Sequence, residues 1–122
     1  MNKKNGGQKT NATDFLGKIV QVSIDRPLNS NHHKYAWRYE LNYGFVSGTK
    51  SGDGEEVDAY VIGINKPLQT FTGKCIAIIH RTNDDDDKLV VVPDGMNITD
   101  EEIISATKFQ EHFFKSKVLR GV

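Results

Sequence analysis

From residue 18 to residue 24 the chain alternates, with Val20, Val22 and Ile24 on one side and Gln21 and Ser23 on the other. A period of two marks a strand with one buried face, and Pro27 stops it because proline cannot donate to a continuing ladder. A polar loop over 29–34 follows. Tyr39, Leu41, Tyr43 and Phe45 then repeat the same period inside an aromatic-rich run, predicting a second strand over residues 35–46. Apolar runs over 59–64, 74–81 and 89–93 predict three more strands; Pro67 and Gly73 bracket the loop before the middle one, and Pro93 ends the last. The period then lengthens. Thr99-Asp100-Glu101-Glu102 reads as a capping box with Ile98 and Ile103 as its staple. Ile103, Ala106, Phe109 or Gln110, and Phe113 recur every three or four residues, predicting a helix from Asp100 to about Lys117. Lys115, Lys117 and Arg120 suit the negative end of that helix. Five short strands and one terminal helix predict an α+β, mainly β, fold: a small five-stranded OB-like barrel with a C-terminal helix packed against it.

Residues 1–15 have little to bury and are expected to form a disordered tail, leaving 16–122 as a single domain, an ordinary size for one core. Sixteen basic residues balance sixteen acidic ones, which argues against a nucleic-acid binder that works by phosphate neutralisation. The one cysteine, Cys75, lies in an apolar run, so disulfide scaffolding is excluded and a catalytic thiol disfavoured. No apolar stretch is long enough to span a membrane, and the first eighteen residues lack the hydrophobic region of a signal peptide, so a cytoplasmic location is expected.

The densest chemistry is Ser51-Gly52-Asp53-Gly54-Glu55-Glu56-Val57-Asp58, in which four carboxylates lead into an apolar run. Like charges at the edge of a core resist joint ionisation. A divalent cation that prefers oxygen ligands would offset that repulsion, whereas a hydrated Asp-Gly turn would simply leave the charges in water. A second acidic loop, Asp84-Asp85-Asp86-Asp87, opens into the last strand. Such a run is commonly a solvated loop, but two acidic loops at strand boundaries make a shared metal cluster more credible. His32 and His33 lack a further ligand at metal-binding spacing.

Three motifs in order, Tyr39-Glu40-Leu41-Asn42-Tyr43-Gly44-Phe45, Asp53-Gly54-Glu55-Glu56-Val57-Asp58 and Lys88-Leu89-Val90-Val91-Val92-Pro93, resemble the soluble family I inorganic pyrophosphatases over roughly residues 18–118. That family has a five-stranded OB-like barrel. The resemblance implies Asp53, Asp58 and Asp86 as ligands of Mg²⁺, with Mn²⁺ or another divalent cation as alternatives. It places Asn83 or Asp84 where a further metal-binding aspartate stands. Glu55 takes the place of the residue assigned as base for the attacking water. Lys34, Tyr43, Lys88 and Lys115 match phosphate-handling positions, and Arg38 is the candidate for the family arginine. Departures accompany the likeness: the middle signature aspartate is Glu55, the signature proline is Glu56, Ala36 replaces a glutamate, Phe114 replaces a tyrosine, and the hairpin before Tyr39 is missing.

The activity so implied is hydrolysis of inorganic pyrophosphate by a metal-activated water, in a protein that binds no nucleic acid or membrane; family members are often oligomeric, which leaves a homo-oligomer open. Three other readings stand beside it. The substrate could be another phosphoanhydride such as a nucleoside polyphosphate; the chain could be a non-catalytic OB module stacking nucleic-acid bases on Tyr35, Trp37 and Tyr39; or it could be an inactive structural relative.

Overall fold

In the computed structural model, residues 11–49, 55–82 and 86–121 are described. The strands are β1 (Ile19–Arg26), β2 (Asn42–Val46), β3 (Val57–Val61), β4 (Thr70–Arg81), β5 (Asp87–Val92) and β6 (Ser116–Arg120), with helix α1 (Asp100–Glu111) between the last two. They hydrogen-bond in the order β1-β2-β3-β5-β4, and β1 pairs again with β4, so five strands close into the expected barrel. All pairings are antiparallel except β3 with β5.

Closure depends on the length of β4. Its first half, Thr70 to Lys74, pairs with β1, and its second half, Ala77 to Arg81, pairs with β6. A bulge between Cys75 and Ala77 separates the halves, as bulges do where a strand must bend. Because strand side chains alternate, two cores result. Val20, Val22, Val46, Ala59, Val61, Cys75, Ile78, Leu89 and Val91 fill the barrel. Tyr43, Tyr60, Ala77, Ile79, Val90 and Val92 face outward and are covered by Ile103, Ala106 and Phe109 of α1. The capping box at Thr99 and Glu102 is formed, with hydrogen bonds of 3.1 Å to the Glu102 amide and 2.8 Å to the Thr99 amide.

Four expectations are corrected. The helix stops at Glu111 rather than Lys117, and residues 116–120 form β6, because the second half of β4 presents a free edge whose backbone groups need partners. Lys115 and Lys117 therefore lie on a turn and a strand, not on a helix end. The strand over 35–46 is confined to 42–46; residues 29–39 fold back on themselves, with Asn29 and Ser30 hydrogen-bonded to Tyr39, His32 to Trp37, and Asn31 bridging Arg38. A short hairpin thus stands where none was expected. Gly73 belongs to β4 rather than to a loop, tight against the Phe71 ring and the Val92 carbonyl. The boundary at residue 16 is also too late: Ala12–Phe15 is a 3-10 turn capped by Asn11, and Ala12, Phe15 and Leu16 pack on the barrel core.

Candidate active site

The site is assembled by the one parallel pairing. The β3–β5 register sets Asp58 directly beside Lys88, and Asp86, two residues earlier, shares the face of Lys88. Lys88 Nζ donates to Asp58 Oδ2 at 2.6 Å and to Asp86 Oδ2 at 2.8 Å. The Lys88 side chain is 4 % exposed and that of Asp86 12 %, whereas Asp58 at 32 % opens to solvent. Below them lies Tyr43, its ring 5.8 Å from Lys88 Nζ. Burial, then the charge of Asp58, pushes the Tyr43 hydroxyl well above its ordinary value, so it stays protonated at neutral pH. Asp25 borders the group; burial raises its carboxyl, Arg26 opposes that rise, and the charge of Asp58 adds to it.

A buried network supports this arrangement from the helix side. Arg81 donates to Glu111 through Nε at 3.1 Å and Nη2 at 2.8 Å, a bidentate pair. Its Nη1 stands 3.7 Å from Asp86 Oδ2, and the Phe114 ring lies 3.6 Å beneath its guanidinium carbon. Tyr60 donates to Glu111 at 2.7 Å and accepts from Gln110 at 2.7 Å. Burial lowers the Arg81 pKa, but hydrogen bonding to Glu111 and its charge more than reverse the effect, so Arg81 stays a cation. Two cations, Arg81 and Lys88, thereby sit among three carboxylates, Asp58, Asp86 and Glu111.

Asp58, Asp86, Lys88 and Tyr43 are thus brought together. Asp53 and Asp84 lie outside the described residues. Glu55 is exposed at the lead-in to β3. Lys34 and Arg38 are exposed on the 29–39 hairpin, where His32 Nδ1 accepts from the Lys34 and Tyr35 amides. Lys115 is exposed, and its carbonyl accepts from Thr82. Of the four consecutive aspartates, Asp86 turns toward Lys88, while Asp87 turns to the opposite face and meets His80 Nδ1 at 2.6 Å.

Arg81, Glu111 and Tyr60 escaped the sequence reading. A signal for them existed: Glu111 continues the buried stripe of Ile103, Thr107 and Gln110, and Arg81 falls on the outward side of β4 with Ala77 and Ile79. A charge on an apolar stripe points to a buried partner.

Two hard oxygen donors that converge on one ammonium suit an oxygen-seeking divalent cation. Among the described residues no cluster of three or more such ligands forms, and no helix is long and apolar enough to cross a membrane.

Solved structures share the fold. An inorganic pyrophosphatase from Ehrlichia chaffeensis aligns over 92 % of this chain and 89 % of its own, with 19 % identity and a TM-score of 0.67. One from Neisseria gonorrhoeae aligns over 89 % and 83 %, with 20 % identity and 0.63. One from Helicobacter pylori aligns over 93 % and 88 %, with 19 % identity and 0.60. No match was found among curated proteins. The inorganic pyrophosphatase family model matches residues 8–118, nearly the whole chain and all the residues that build the site, and the chain belongs to that family.

Proposed function

We propose that this chain, an inorganic diphosphatase by family, hydrolyses pyrophosphate at the surface between β3, β5 and α1. Asp58 and Asp86, with Asp53 and Asp84 as further ligands, would hold Mg²⁺ or a similar divalent cation. The chemistry such an ion supplies when bound is a more acidic water and neutralisation of the diphosphate charge. Lys88 donates to phosphate oxygens, as do Lys34, Lys115 and Arg38 from the exposed rim. The protonated Tyr43 hydroxyl donates to the leaving phosphate. Arg81, clamped by Glu111, fixes Asp86. Glu55 accepts the proton of the attacking water; the water oxygen bonds to one phosphorus, the bridging P–O bond breaks, and two orthophosphates form.

The observation that carries this reading is the convergence of Asp58 and Asp86 on a single cationic point at 2.6 and 2.8 Å. The test is phosphate release from pyrophosphate under saturating Mg²⁺. Asp58→Asn is expected to retain the fold and lose at least about a hundredfold in turnover. Equal rates for the two proteins would remove Asp58 from the reaction, and no release by wild type with Mg²⁺, Mn²⁺ or Co²⁺ would remove the activity itself.

A further inference from the structure

Lys88 and Arg81, the buried cations of the site, already face carboxylates. Arg26 is placed differently. At the end of β1 the register shifts between Ile24 and Arg26, so that Arg26, and not Asp25, is the partner of Tyr43 on β2. Such a bulge re-aims a side chain, and cross-strand partners share a face. Arg26 therefore lies on the outward face of the barrel with Tyr43, the face that carries the site.

Its guanidinium is held in place without a counter-ion. Nη1 donates to the Asp25 carbonyl at 3.2 Å, and Nη2 donates to His33 Nδ1 at 3.3 Å. His33 is itself stacked on His32, with ring centres 4.6 Å apart at 17°, so the hairpin over 29–39 fixes the guanidinium from one side. On the other side stands the Tyr39 hydroxyl. Burial raises its pKa, the charge of Arg26 and hydrogen bonding from it oppose that rise, and the charges of Asp25 and Asp58 add to it. One hydroxyl thus lies within range of Arg26 and of the candidate ligand Asp58. The Tyr39 ring stacks on that of Tyr43 at 5.6 Å, and Tyr43 in turn lies 5.8 Å from Lys88 Nζ.

Among the described residues no carboxylate stands within ion-pair distance of Arg26. The carbonyl and the imidazole take two of the five N–H donors that an arginine has, so donors remain even when Tyr39 is served. The side chain is half-buried and open to solvent. A guanidinium with charge and donors to spare suits an oxyanion, and its planar fork matches two oxygens of one phosphoryl group.

We propose that Arg26 binds one phosphoryl group of the diphosphate, across Tyr39 and Tyr43 from the group that Lys88 binds. The proposal rests on the reading of Asp58, Asp86 and Lys88 as the phosphoanhydride site and adds to it a residue from β1.

The test compares wild type with Arg26→Ala and Arg26→Lys in three measurements: pyrophosphate turnover under saturating Mg²⁺, binding of methylenediphosphonate by calorimetry, and binding of Mn²⁺ alone by electron paramagnetic resonance. A contact made equally in the bound and transition states raises KM and leaves kcat nearly unchanged. Arg26→Ala is therefore expected to raise KM, and to weaken methylenediphosphonate binding, about tenfold or more. Arg26→Lys is expected to recover part of that loss, because the charge stays while the fork is gone. Mn²⁺ affinity is expected to stay within about twofold in both variants, since Arg26 touches neither candidate ligand. Unchanged KM and diphosphonate affinity in both variants would overturn the proposal. A parallel loss of Mn²⁺ affinity and of diphosphonate affinity in both would also overturn it, by making Arg26 a support of β1. Arg26-dependent diphosphonate binding without hydrolysis by wild type would keep the Arg26 assignment and discard the hydrolytic reading; hydrolysis indifferent to Arg26 would do the reverse.

Discussion

Lys88 is the residue on which both candidate ligands depend. Its ammonium is buried between Asp58 and Asp86, and deleting one partner of a buried ion pair leaves uncompensated charge, at a cost of about 3–5 kcal/mol. Lys88→Met is therefore expected to lower the melting temperature in EDTA, to recover part of that loss in Mg²⁺, and to depress pyrophosphate turnover in either case. Thermal denaturation with and without Mg²⁺ measures the first two; a variant equally stable in both buffers would show that the carboxylates do not hold the ion. Cys75 illustrates the opposite situation. Burial pushes its thiol up to about 11, so it is expected to react with a thiol reagent at neutral pH only after denaturation, and fast labelling of the native protein would contradict its placement inside the barrel. Asp58 and Lys88 were legible as residues because they sit near strand starts in recognisable order. Asp86 was named only through the family likeness, as the aspartate two before Lys88; that Asp87 turns instead to the opposite face is set by the pairing of β5 with its neighbours.

At the scale of elements, the strands were readable wherever one side was apolar, and α1 began where its capping box said it would. Its end was unreadable because the apolar spacing continues past Glu111, while the decision to turn into β6 belongs to the free edge of β4. The β1–β2 pairing carries a testable constraint. Gly44 stands opposite Ile24, and a Cβ there would collide with the Ser23 carbonyl oxygen, a backbone atom that cannot swing aside. Gly44→Ala is expected to destabilise the fold by about 2–3 kcal/mol or more, read as a lower denaturation midpoint in urea. An unchanged midpoint would mean that β1 and β2 lie further apart than this register allows. The site residue Tyr43 precedes Gly44, so the same variant is expected to lower turnover as well.

For the whole molecule, the join between helix and barrel rests on the Glu111–Arg81–Tyr60 network as well as on apolar packing. Burial by itself pushes the Glu111 carboxyl up, but hydrogen bonds from Arg81 and Tyr60 and the charge of Arg81 bring it below its unfolded value of 4.5. A depressed folded value contributes stability that is complete above pH 4.5 and is lost as pH falls through the lower, folded value. The melting temperatures of wild type and Glu111→Gln should therefore differ most near neutrality and converge as pH drops below 4.5. A constant gap would show that Glu111 contributes packing and not charge.

Local order along the chain determined the alternation of the strands, the start of the helix, and the presence of two acidic stretches and one lysine beside a Val-rich run, since each depends on a few neighbouring residues and their period. Tertiary structure alone decided that β3 and β5 run parallel and in register, so that Asp58, thirty residues away along the chain, meets Lys88. It alone paired Arg81 with Glu111 and brought Phe113 to Trp37. Those contacts depend on barrel closure and on which strand edge remains open, and neither is written in any local stretch of sequence.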